Sequence, residues 1–146
     1  MKDQPVSKNF GAIIDRTLKI IKANYQKAFI EVGVDLTTEQ WVLMDSLFKN
    51  NGISQNDLAN GSFKNAPTVS RILDLMCKKG LTERRRFEND RRRYKIFLTQ
   101  FGEETYKKAL PVVIDLRLKG WKNLSEEDYQ HFTRIMDQVF SNFEQG

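Results

Sequence analysis

Between Leu81 and Thr99 the spacing of apolar residues changes from the three-to-four period of a helix to a period of two, and positive charge gathers at the change. Upstream, Val69, Ile72, Leu73, Leu75 and Met76 share one side of a predicted helix. Pro67 can open it, since a first turn has no partner for the N–H that proline lacks, and Gly80 can close it in a left-handed cap. Downstream, Tyr94, Ile96 and Leu98 alternate with Arg93, Lys95 and Phe97, the pattern of a strand with one buried face. Leu81 to Phe87 predicts its partner strand, and Glu88-Asn89-Asp90-Arg91 supplies turn residues.

The flanking segments read as helices. Phe10, Ile13, Ile14, Leu18, Ile21, Tyr25, Ala28, Phe29 and Val32 recur at helical spacing and end at Gly33, a stripe too wide for a small neighbouring core to cover. Thr37 followed by Gln40 predicts a capping box for a helix carrying Trp41, Leu43, Met44, Leu47 and Phe48. Ser54 with Asp57, and Ser125 with Asp128, predict two more, opening a short helix to Asn60 and a last helix whose apolar side is Tyr129, Phe132, Ile135, Met136, Val139, Phe140 and Phe143. A helix from about Thr99 to Leu118 contains Pro111, which should bend it. The order is helix, helix, short helix, helix, hairpin, helix, helix: a mainly α (α+β) winged helix-turn-helix.

Charge points to a partner. The chain has a net charge of +5, yet residues 61–100 alone carry eleven Lys and Arg against four acids, so the basic footprint is local and suits a polyanion. A membrane-facing patch would come as an amphipathic helix, whereas the densest charge here surrounds a turn. No apolar run is long enough to span a bilayer and the N-terminal residues lack a signal-peptide core, so a cytoplasmic protein is expected. Cys77, the single cysteine, excludes an internal disulfide. His131 has no neighbouring nucleophile or ligand, and neither a phosphate loop nor zinc spacing is present, so an enzyme or a cofactor is not expected.

With these elements in order, the sequence resembles the MarR family of bacterial winged-helix transcription regulators. LTTEQWVLMDSL is similar to the helix before the family's DNA-reading unit, GISQNDLA to that unit's first helix, and APTVSRILDLMCKKGLTER to its recognition helix running into the wing. DRRRYKIFLT carries the wing signature through Asp90, Arg92, Leu98 and Thr99. The resemblance implies one domain over 1–146, with residues 36–99 as the DNA-binding winged helix and residues 8–33 and 100–146 as helices that interlace in a homodimer. It also implies a repressor binding double-stranded DNA at a pseudo-palindromic operator.

On the recognition helix the apolar set must face the core, which leaves Asn65, Pro67, Thr68, Ser70 and Arg71 for the major groove; Arg71 can pair with guanine or a phosphate. The hairpin tip would take Arg91 and Arg92 into the minor groove, and the resemblance implies that Asp90 buttresses Arg92. Arg84, with Arg85, Arg86, Arg93 and Lys95, would contact phosphates or raise the local potential. Many relatives release DNA on binding a small aromatic effector, for which Phe10, Phe29, Trp41 and Phe101 could line a pocket, though each serves equally well as core. Two other readings remain: a redox-responsive regulator using Cys77, and a winged helix serving protein–protein or RNA contacts.

Overall fold

The computed structural model describes residues 7–62 and 64–145. Its elements run α1 (Phe10–Glu31), α2 (Thr38–Lys49), β1 (Ile53–Ser54), α3 (Gln55–Gly61), α4 (Ala66–Lys78), β2 (Thr82–Arg86), β3 (Tyr94–Leu98), α5 (Gln100–Gly120) and α6 (Glu126–Glu144). They form two compact units that divide between Val113 and Ile114. No helix among the described residues is long and apolar enough to cross a membrane.

Helix ends follow the local chemistry of the sequence. Thr37 and Gln40 form a reciprocal capping box, as do Ser125 and Asp128. The Ser54–Asp57 pair makes only half of the expected box: the Ser54 hydroxyl accepts from the Asp57 N–H at 3.1 Å. Helix α4 closes as expected at Gly80, whose φ is +77°, with Leu81 N–H donating to the Met76 carbonyl and Gly80 N–H to that of Cys77. Both bonds belong to the Schellman motif, and α1 ends the same way at Gly33. Pro111 lies inside α5 without ending it, and that helix reaches Gly120 rather than Leu118.

The sheet has a strand the sequence did not announce. Strand β1 joins the hairpin to give the antiparallel order β1-β3-β2, with Ile53 opposite Ile96. A two-residue strand is too short to display alternation, so its signal is absent by construction.

In the first unit Leu43, Met44, Leu47, Leu58, Val69, Leu73, Met76, Leu81 and Ile96 are essentially solvent-free. Tyr106 of α5 stacks on Trp41 with ring centroids 5.0 Å apart and donates its hydroxyl to Asp45 at 2.7 Å. Gly102 lets α5 approach the end of α4: a Cβ there would lie 2.0 Å from the Leu81 carbonyl oxygen. That oxygen accepts the Thr99 N–H, while the Thr99 hydroxyl donates to the Gly80 carbonyl and accepts from Gly102 N–H.

Helix α1 buries only Phe29 and α6 buries no residue at all. Within the second unit Trp121 packs edge-on against Tyr129 and Phe132, yet both of those rings remain about half exposed.

Candidate nucleic-acid interface

Helix α4 is the second helix of the helix-turn-helix, and its strong amphipathicity sorts its residues cleanly. Val69, Leu73 and Met76 face the core, while Pro67, Arg71, Leu75 and Lys78 are exposed at spacings of three and four that place them on one side. Leu75 therefore departs from expectation. The apolar clustering in sequence groups it with the core, yet 52% of its surface is open, one turn after Arg71 on the outward face. Its position beside Met76 made it part of an apolar cluster in sequence, but one residue's step rotates it by a quarter-turn or more.

The expected groove residues are placed unequally. Asn65 is the N-cap, its side-chain oxygen accepting the Thr68 N–H at 2.9 Å, so that oxygen is engaged by the helix itself. Arg71 reaches back to within 3.5 Å of the Thr68 hydroxyl, toward the helix N-terminus. Thr68 and Ser70 are half-buried, and Pro67 is exposed.

The wing loop spans Phe87 to Arg93, closed by Phe87 N–H donating to the Arg93 carbonyl and Arg93 N–H to that of Asp90. Asp90 braces Arg92 twice, its Oδ1 accepting the Arg92 backbone N–H at 3.1 Å and Nε–H at 3.2 Å. The Arg92 side chain remains 91% exposed, so the brace aims it without covering it. The Arg92 backbone N–H, then its guanidinium, hold the Asp90 carboxyl below the usual carboxylate range, with Arg93 adding a smaller attraction. Arg91 is exposed beside it. Below the loop, Arg92, Arg93 and Tyr94 face Ser54, Gln55 and Asn56 across a groove of about 210 Å³.

Aromatic rings order the remaining wing cations. Arg85 lies over Phe97 and Arg93 over Phe87, each 4.2 Å from the ring centroid, and Lys95 approaches Phe87 at 5.1 Å. Alternation marks Phe97 only as a strand residue and Phe87 as a strand end; the sequence signal for their pairing is the interleaving of cations with aromatics.

Arg84 is the main correction. Expected to contact a phosphate or to raise the local potential, it instead turns inward: Nη1 donates to Asp74 at 2.6 Å, Nη2 to the Ser70 carbonyl at 3.1 Å and Nε to Gln55 at 3.1 Å. Its side chain is 21% exposed. Register gives the reason. Arg84 sits opposite Ile96, a fully buried residue, and cross-strand partners project to the same face.

The four aromatics proposed for an effector pocket are not assembled into one. Phe29 and Trp41 are core residues, 1% and 3% exposed. Phe10 and Phe101 are exposed; Phe101 lines a cleft of about 400 Å³ with Val34, Asp35, Lys79, Leu81 and Lys108, and none of the other three is in its wall. Lys79, the C-cap of α4, donates at this cleft to Asp35 and to the buried Gln40. Cys77 is half-buried, with its sulfur 3.3 Å from the Thr82 hydroxyl.

Residues 36–94, from the turn before α2 to the start of β3, match the family model described as MarR family. Over this winged-helix region the chain is similar to the MarR family. Over 111 residues the chain is 23% identical to the HTH-type transcriptional repressor IacR of Pseudomonas putida, a match covering 76% of this chain and 66% of IacR. Among solved structures, the S. aureus MepR–DNA complex superposes with a TM-score of 0.80 at 23% identity, over 92% of this chain and 98% of that one. PcaV from Streptomyces coelicolor, solved with its natural ligand, gives 0.80 at 15% identity, over 97% and 98%.

Proposed function

We propose that the protein is a sequence-specific double-stranded DNA-binding transcription regulator, acting as a homodimeric repressor that a small aromatic effector releases. One observation carries the DNA reading: an exposed stripe on α4, Pro67, Arg71 and Leu75, occurs with a wing whose Arg92 is fully presented yet aimed by Asp90. Major-groove reading needs a helix with polar and small apolar groups toward its N-terminal end, and Leu75 adds a surface for a thymine methyl. Minor-groove reading needs a cation directed into a narrow, negative channel, for which a prealigned arginine loses little freedom on binding. Arg91, Arg85, Arg93 and Lys95 then serve the phosphates.

Dimerisation follows from what the single chain leaves open. Ile13, Leu18, Ile20 and Ile21 on α1 and Phe132, Ile135 and Phe140 on α6 are 45% to 61% exposed. Each of the two helices thus offers an apolar face of the kind that marks an interaction site. For the effector, the cleft at Phe101 is favoured over a pocket built from all four aromatics, because Lys79 links its wall to the end of α4.

Selection of bound sequences from a pool of random duplexes tests the function. The expected product is an inverted repeat with half-sites about one helical turn apart. Failure to enrich any duplex would remove the DNA reading.

A further inference from the structure

On α4, Asp74 stands three residues after Arg71 and four before Lys78, and all three are exposed. Residues at these spacings are neighbours on a helix, close enough for ion pairs. A free carboxylate at that point would pair with Arg71 and would meet the phosphates of any duplex lying against the helix. Asp74 is instead held by Arg84 at 2.6 Å, a partner from β2. The other arms of the same guanidinium bind Gln55 at the start of α3 and the Ser70 carbonyl within α4. Arginine alone offers a rigid fork that can serve three acceptors in different directions; a lysine ammonium is a flexible point charge.

We propose that Arg84 is a positioning residue for DNA reading: it withholds Asp74 from Arg71 and fixes the recognition helix to the wing strand and to α3. The proposal rests on the DNA reading above and adds to it a division of labour among the wing arginines. Arg92 faces the nucleic acid, whereas Arg84 acts through Arg71 and through the angle between helix and wing. Both grooves are then read by elements joined through one side chain.

Anisotropy titrations of a duplex selected from a random pool, run across a salt series, separate this role from a direct phosphate contact. Arg84→Met should lower affinity about tenfold or more, and any fall in the slope of log affinity against log salt should be reversed once Asp74 is neutralised. Adding Asp74→Asn to Arg84→Met should recover most of the loss, because the carboxylate that competes for Arg71 is gone. Arg84→Lys, which keeps Asp74 neutralised but lacks the fork, should fall between wild type and Arg84→Met; it serves as the test if Arg84→Met does not fold. Unchanged affinity in Arg84→Met overturns the proposal. So does a slope smaller by about 0.9 that Asp74→Asn does not restore, the mark of a phosphate contact made by Arg84 itself, or a double variant no better than Arg84→Met, the mark of a purely structural role. A wild-type protein that selects no duplex refutes the DNA reading itself, which these variant outcomes leave standing.

Discussion

Replacing Gly102 by alanine sets two effects of opposite sign against each other. In a helix interior alanine is favoured over glycine by about 1 kcal/mol. Here the added methyl carbon would stand 2.0 Å from the Leu81 carbonyl oxygen and 3.3 Å from Leu98 Cδ2. The first contact is with backbone, which cannot rotate aside. Relieving it moves α5 away from Leu81, and overpacking of this kind costs roughly 1–3 kcal/mol. The same displacement pulls on the 3.0 Å bond from Thr99 N–H to that oxygen. Losing it would leave a buried acceptor unsatisfied at roughly another 1–3 kcal/mol. The balance is a net destabilisation of about 3 kcal/mol. At about 2.1 cal/mol/K of unfolding entropy per residue, a chain of 146 residues should melt about 10 °C lower. Thermal and urea unfolding followed by circular dichroism, at equal protomer concentration, would measure this. A Gly102→Ala protein as stable as wild type, or more so, would show that propensity wins and that the close approach to Leu81 does not constrain the fold.

Three further outcomes can be checked. Arg92→Ala should weaken binding to the selected duplex and reduce the salt slope by about 0.9 while leaving the helical spectrum unchanged; unaltered affinity at fixed salt would displace Arg92 from the interface. Leu75→Ala should change stability by no more than about 0.5 kcal/mol yet alter the preferred bases, whereas Leu73→Ala, in the core, should cost roughly 2–5 kcal/mol; a large loss from Leu75→Ala would return it to the core. Because Asp90 titrates below its ordinary range, its brace is complete above the usual aspartate value of about 3.9 and is lost only as pH falls through the lower folded value. Carboxyl chemical shifts followed through acid titration should show this, and a midpoint at or above about 3.9 would deny the brace.

The sequence carried the fold where chemistry is local. Thr37 with Gln40, Gly80 after an apolar stripe, and the alternation of Tyr94, Ile96 and Leu98 each determine a short piece of backbone through neighbours a few residues away, and each element lies where they placed it. What could not be read depends on register. Arg84 and Arg85 are adjacent and chemically identical, but Arg84 lies opposite buried Ile96 and Arg85 opposite exposed Lys95. Only the pairing of β2 with β3 tells them apart. The sequence leaves Phe29 and Trp41 open between pocket and core for a related reason. An aromatic ring in a helix does not reveal whether its neighbour is a cleft or, as for Trp41, another ring at van der Waals distance.

The absence of any buried residue on α6 bears on how the protein would behave at low copy number. A helix that depends on a second chain for cover exists in proportion to pairs, so the amount of folded regulator varies with the square of chain concentration at the dilute end. Lone chains would present Phe132, Ile135 and Phe140 to proteases and chaperones. Halving the number of chains would then cut the covered form of α6 about fourfold.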